Sequence, residues 1–146
     1  MKYIILFIAN WIVFLLLVDF KKLKINVFSS ILAILMVFLV DYRNIVLKNL
    51  YYLNDPVIPL FGSSFFFVFG PVFTISILTA QYHPKSNKLI VLYVLVIATL
   101  YSLTELLLLK SGALVYVDWS FFDSLLINYP TIIVLSWFYM TVLKRV

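Results

Sequence analysis

Cysteine is absent from this chain of 146 residues. Its absence excludes disulfides, zinc–thiolate sites and thiol nucleophiles, and leaves helix packing to hold the fold. Charged residues are scarce as well, at 12 %, against about 25 % in an ordinary soluble domain. So little polar surface cannot coat a water-soluble particle of this size. Histidine occurs once, as His83, and glycine three times. The sequence contains no metal-ligand cluster, no nucleophile in motif-like relation to a base and no glycine-rich phosphate loop. No cofactor and no metal site is therefore expected. Period-two alternation is also missing, which argues against an outer-membrane barrel. Repeats, low-complexity tracts and linkers are not found either, so one domain is expected.

What remains is overwhelmingly apolar. Hydrophobic residues make up 65 % of the chain, where a soluble protein has roughly 45 to 50 %. Lipid must cover the excess. The fold class expected is all-α, a polytopic membrane helical bundle forming a single transmembrane domain over residues 1–146. The net charge of +5 is spread over short segments between apolar runs rather than gathered in a basic stripe. It reads as topology, not as a nucleic-acid footprint. The expected partners are the lipid bilayer, other membrane proteins or a second copy of the chain, and no nucleic acid.

Five transmembrane helices are predicted, over about 3–18, 25–47, 60–80, 89–109 and 125–143. The first resembles the core of a signal peptide but ends in Leu15, Leu16, Leu17 and Val18, with no small-x-small cleavage site, so it is read as a retained span. The uninterrupted part of the second rises only about 24 Å against a hydrocarbon core of about 30 Å, so the helix is expected to continue through Asp41 to Leu47. Asn54-Asp55-Pro56 and Pro59 mark a loop. Gly70-Pro71 should kink the third helix, and its small residues permit close helix approach. Residues 110–123, with Trp119 among them, are expected at the headgroup level.

With five spans, one side holds Lys21, Lys22, Lys24, Lys85, Lys88, Lys144 and Arg145, and the other holds Lys2, Arg43, Lys48 and Lys110. The positive-inside rule then puts the N-terminus outside and the C-terminus in the cytoplasm. Counting rise from the cytoplasmic ends places Asp41 and Glu105 at one depth, some 6 Å below the outer edge of the core. Asn10, Ser63, Ser64, Asn128, Tyr129 and Thr131 fall in the same outer half. The cytoplasmic half has only Ser and Thr, whose hydroxyls can bond their own helix.

The candidate polar pocket therefore comprises Asp41, Glu105, Arg43, Asn10, Asn128 and Tyr129, with Arg43 or Lys110 as counter-ions to the two acids. Ala98, Tyr101, Ser102 and Glu105 recur at helical spacing and face one way. The competing reading is structural: both acids lie close enough to the interface to reach water, with Arg43 and Lys110 snorkelling beside them. Asp118, Asp123 and Lys48 are expected to be solvated loop charges, His83 a loop residue rather than a base, and Asn10 an interhelical hydrogen-bond donor.

Tyr82-His83-Pro84, Glu105 and the run Tyr116-Val117-Asp118-Trp119-Ser120 with Ser124 resemble a pattern in small multispan membrane proteins of endospore-forming Firmicutes. That family usually has glycine where Asp118 stands here. The resemblance covers roughly the last two thirds of the chain. It implies a multispan protein of the bacterial plasma membrane and carries no catalytic role. Three functions compete. The favoured one is a non-enzymatic accessory or interaction protein. The alternatives are a transporter or ion-coupling subunit using Glu105 and Asp41, and an enzyme acting on lipid headgroups with the two acids as acid and base.

Overall fold

The computed structural model describes residues 1–145. The chain is mostly helical. Helix α1 spans Lys2–Leu17, and α2 spans Phe20–Leu47, α-helical to Asp41 and then π-helical over Tyr42–Leu47. Two short strands and a hairpin strand follow: β1 Tyr51–Leu53, β2 Pro59–Leu60 and β3 Ser63–Ser64. Helix α3 runs over Phe65–Gln81 with a π-helical stretch at Val68–Val72. Helix α4 covers Asn87–Lys110, β4 covers Leu114–Tyr116 and α5 covers Phe121–Thr141. Three of the helices, α2, α4 and α5, are long and apolar enough to cross a membrane.

The helices run alternately up and down between two ends. At one end the N-terminal ammonium pairs with Asp55 at 3.5 Å, Lys2 donates to the Ser111 carbonyl, and β1 pairs with β4 in antiparallel register. At the other end Gln81 and Tyr82 both donate to the Leu17 carbonyl at 2.8 Å, and the Gln81 side chain accepts from the Asp19 amide at 2.7 Å. These bonds hold both ends of α1 against the rest of the bundle.

Small residues set the closest packing. Ser29, Ser30 and Ala33 of α2 are buried against α3, where Thr74, Ser76, Ile77, Thr79 and Ala80 are buried in turn. The hydroxyls bond their own helices: Ser30 to the Val27 carbonyl at 2.6 Å, Thr74 to Gly70 at 2.8 Å and Thr79 to Ile75 at 2.6 Å. A polar stripe can thus be buried without a cross-helix partner. The outer surface is the reverse of a soluble protein's. Leu16 is 79 % exposed, Leu39 74 % and Leu107 67 %, an apolar coat that only an apolar environment would solvate.

Pro71 cannot donate to the turn before it, and the helix absorbs this by widening into the π-helical turn rather than breaking. Trp11 of α1 donates its indole N–H to the Phe69 carbonyl there at 2.9 Å and stacks on Phe73 at 5.7 Å. Gly70 lets α1 come close: a Cβ on it would meet the Phe7 Cα at 3.0 Å.

The third helix begins later than residue 60. Phe61 and Gly62, at φ 51° and 87°, make a two-residue turn that pairs Pro59 with Ser64 and Leu60 with Ser63. Ser63 and Ser64 therefore belong to a hairpin and not to helix α3. Gly62 has no room for a side chain, since a Cβ would sit 3.1–3.2 Å from Val46 and Ile45. The two small sheets also depart from the all-helical expectation. Residues 110–123, expected at headgroup level, supply β4 to one of them.

Candidate functional site

The β1–β4 pairing sets Tyr51 opposite Tyr116, with ring centroids 6.4 Å apart. Each phenol reaches one carboxylate. Tyr51 donates to Asp41 Oδ1 at 2.8 Å, and Tyr116 donates to Glu105 Oε1 at 2.7 Å. Asp41 sits where α2 turns from α- to π-helical geometry, and Glu105 lies on the inward stripe of α4 with the buried Ala98 and Ser102. Two acids 64 residues apart in sequence thus line one cavity of about 90 Å³. Burial, followed by the charge of Asp41, pushes the Tyr51 phenol above its ordinary value. Burial does the same to Tyr116, reinforced by its bond to Glu105. Both phenols therefore stay protonated and act as donors.

Glu105 is well provided for. Its Oε1 also accepts from the Ser124 hydroxyl, and its Oε2 accepts from the Asn128 amide at 3.0 Å. Asn128 also donates to Ser102 at 3.2 Å, and the Trp119 indole donates to Ser124 at 2.8 Å. Trp119 packs 5.4 Å from Tyr51 and lines the cavity. Ser120 and Asp123 form a capping box at the start of α5, which fixes the register of Ser124 and Asn128 on its inner face.

Asp41 has less. Tyr51 is its one hydrogen-bond donor among the described residues, and Oδ2 has none. Ser63, fully buried and lining the same cavity, has its hydroxyl beside the Asp41 carboxyl, where a small turn of the side chain lets it donate to Asp41, and it has no other partner. The amide of buried Asn44, one turn beyond Asp41, is likewise unpartnered.

Of the six residues expected to form a pocket, Asp41, Glu105 and Asn128 come together. The other three do not. Arg43 is exposed and, like Lys110, forms no ion pair with either acid, because one step along the widened turn carries it to the outside of α2. Asn10 donates back to the Leu6 carbonyl of its own helix at 2.8 Å, not across to a neighbour. Tyr129 is turned toward α4, its hydroxyl 2.9 Å from that of Thr99. Ser63 and Thr131, counted in the same outer half by the sequence, also line the cavity, whereas Tyr3, Tyr51, Tyr116 and Ser124 were not on the expected pocket. Aromatics clustered in the loops at 51–52 and 116–119 were the one sequence signal for them, because three-residue strands leave no periodicity to read.

His83 is at the far end, in its expected loop but buried. Its Nδ1 lies 3.0 Å from the Pro84 carbonyl, which can only accept, so Nε2 accepts the Ser136 hydroxyl at 2.6 Å. The ring stacks on Tyr139 at 4.6 Å. Burial lowers the His83 pKa, with a smaller push the same way from Lys144 and an opposing one from the Pro84 bond. The ring pins the loop to α5. Among the described residues no group of three or more His, Cys, Asp or Glu side chains is arranged to hold a metal. No family model, curated protein or solved structure matches the chain.

Proposed function

We propose that this is a multispan protein of the bacterial plasma membrane whose role is non-enzymatic: it binds a small ligand in the cavity of Asp41 and Glu105. All five helices serve as spans in this reading. At about 1.5 Å per residue, α2, α4 and α5 reach or exceed the roughly 30 Å of the hydrocarbon core. The 16 residues of α1 and the apolar helix Phe65–Gln81 fall short by a few ångströms, a mismatch that local thinning and snorkelling lysines can absorb. The N-terminus is outside and the C-terminus cytoplasmic, on the support of seven basic residues on one side against four on the other. The resemblance to small proteins of endospore-forming Firmicutes belongs to the same proposal.

The observation that carries the reading is the shared cavity. Folding alone gains little from collecting two acids and an unpartnered serine around an empty volume. Such a collection is what a ligand site needs. An ion-coupling role has weaker support. Toward the other end Ser30, Thr74, Ser76 and Thr79 are bonded to their own backbones and offer no ionisable relay. An enzyme of lipid headgroups has weaker support, because the hydroxyls beside the two carboxylates, Ser124, Tyr51 and Tyr116, are engaged as donors to them.

Native mass spectrometry of the protein released from micelles tests the reading. A small molecule retained by the wild type and lost from Asp41→Asn and Glu105→Gln is the expected result. A wild type whose mass is that of the bare chain, with a protein partner that both variants retain, would overturn ligand binding in favour of a helix-mediated interaction protein.

A further inference from the structure

Resting on the binding reading above, the geometry points to a small organic ammonium ion bearing N–H groups as the ligand, held by Asp41 Oδ2 and Ser63 Oγ against aromatic walls. Charge is the first ground. Two carboxyl groups line the cavity, and no lysine, arginine or histidine does. A buried carboxylate needs an opposite charge or a proton, and the chain's own cations stay outside.

The second ground is hydrogen bonding. Glu105 is met by three donors, whereas Asp41 presents an oxygen with none. Ser63 is 0 % exposed, faces the same volume and has no partner. The Ser63 hydroxyl can turn its proton to Asp41 and still accept through its lone pairs, so these two neighbouring oxygens call for a ligand with at least two donors. An ammonium nitrogen supplies both donors and the charge.

Other cations fit less well. Calcium takes six to eight oxygen ligands and magnesium demands six at near-octahedral geometry, while among the described residues the open side-chain oxygens of the cavity are Asp41 Oδ2, Ser63 Oγ and the Tyr101 phenol, too few for either. A quaternary ammonium has no N–H for them. The rest of the wall suits a short carbon chain. Phe67, Tyr101 and Trp119 present ring surface that attracts a cation, and Met36, Val37 and Ile127 present aliphatic surface. A volume of about 90 Å³ is several times the roughly 10–15 Å³ one water needs, room for a handful of heavy atoms.

The test uses the full-length protein in micelles, with butylammonium, 1-butanol, tetramethylammonium and butyrate as probes, read by isothermal calorimetry and by the unfolding midpoint. Butylammonium is expected to bind at least tenfold more tightly than butanol or tetramethylammonium, with no binding of butyrate. Asp41→Asn should abolish that preference. Ser63→Ala, used only with a probe-free unfolding midpoint matching the wild type, should weaken butylammonium binding several-fold while sparing butanol. Equal affinity for butylammonium and butanol, or preference for butyrate, would overturn the ammonium assignment and leave the binding reading standing. No binding of any probe, together with a bare wild-type mass, would remove both. A midpoint that responds to pH but to no probe would show that Asp41 takes only a proton, and would also overturn the assignment.

Discussion

Asp41 and Glu105 are two acids on one cavity with unequal surroundings. Glu105 is closed in by three neutral donors from β4 and α5, which disperse its charge without cancelling it. Asp41 is left open toward the cavity. At the opposite end His83 has the reverse character, a base kept neutral by burial and committed to Ser136. Its folded pKa lies below its unfolded value of about 6.5, so below that pH the unfolded chain binds a proton that the folded chain refuses. Stability should therefore fall as pH is lowered from about 7.5 to about 5.5, and His83→Gln should flatten that slope. Unfolding in mixed micelles across the range measures it, and an identical slope in the variant would contradict the assignment. The sequence placed His83 in a loop correctly but could not reveal its partner, because Ser136 is 53 residues away and is one of many serines on apolar helices.

At the scale of elements, the helices were legible and their interruptions were not. Apolar runs bounded by charges and prolines located all five to within a few residues at most ends, since hydropathy is a property of consecutive side chains. Leu60 to Ser64 reads as the start of a span for the same reason. The Phe61-Gly62 turn overrides it there, and its left-handed φ values are a backbone property that hydropathy does not weigh. The strand pairing of residues 51–53 with 114–116 is a long-range contact of three residues each, invisible to any window along the chain. Gly70-Pro71 did signal a distortion, though a widened turn took the place of a kink. Gly70→Ala should destabilise the protein by about 1 to 3 kcal/mol, because the nearest obstacle is the Phe7 backbone. Trimming Phe7 to alanine should not restore the loss. Denaturant midpoints of the single and double variants decide this, and full rescue by Phe7→Ala would show the contact to be side chain alone.

For the molecule as a whole, the fold sorts its polar groups by end. The N-terminal ammonium, Lys2, Asp55 and the paired strands β1 and β4 tie one end, while the far end is tied by Gln81, Tyr82 and His83. Between them the surface is aliphatic and aromatic, and the hydroxyls of Ser30, Thr74, Ser76 and Thr79 bond their own helices. Half of the candidate pocket was legible because depth along a helix can be counted from its ends. The other half depended on which way a side chain turns at the widened end of α2, and on loop residues whose folding no helical count includes. The central claim is that the two acids face a common cavity, which the proposed orientation opens to the outside of the membrane. Because the chain has no native cysteine, single cysteines at Asp41 and Glu105, with Asp118→Cys and Lys85→Cys as outside and inside controls, test it in intact cells with a small membrane-impermeant thiosulfonate. The account predicts labelling at Asp41, Glu105 and Asp118, with Lys85 protected until the membrane is opened. Protection at both acid positions while Asp118 reacts normally would contradict it.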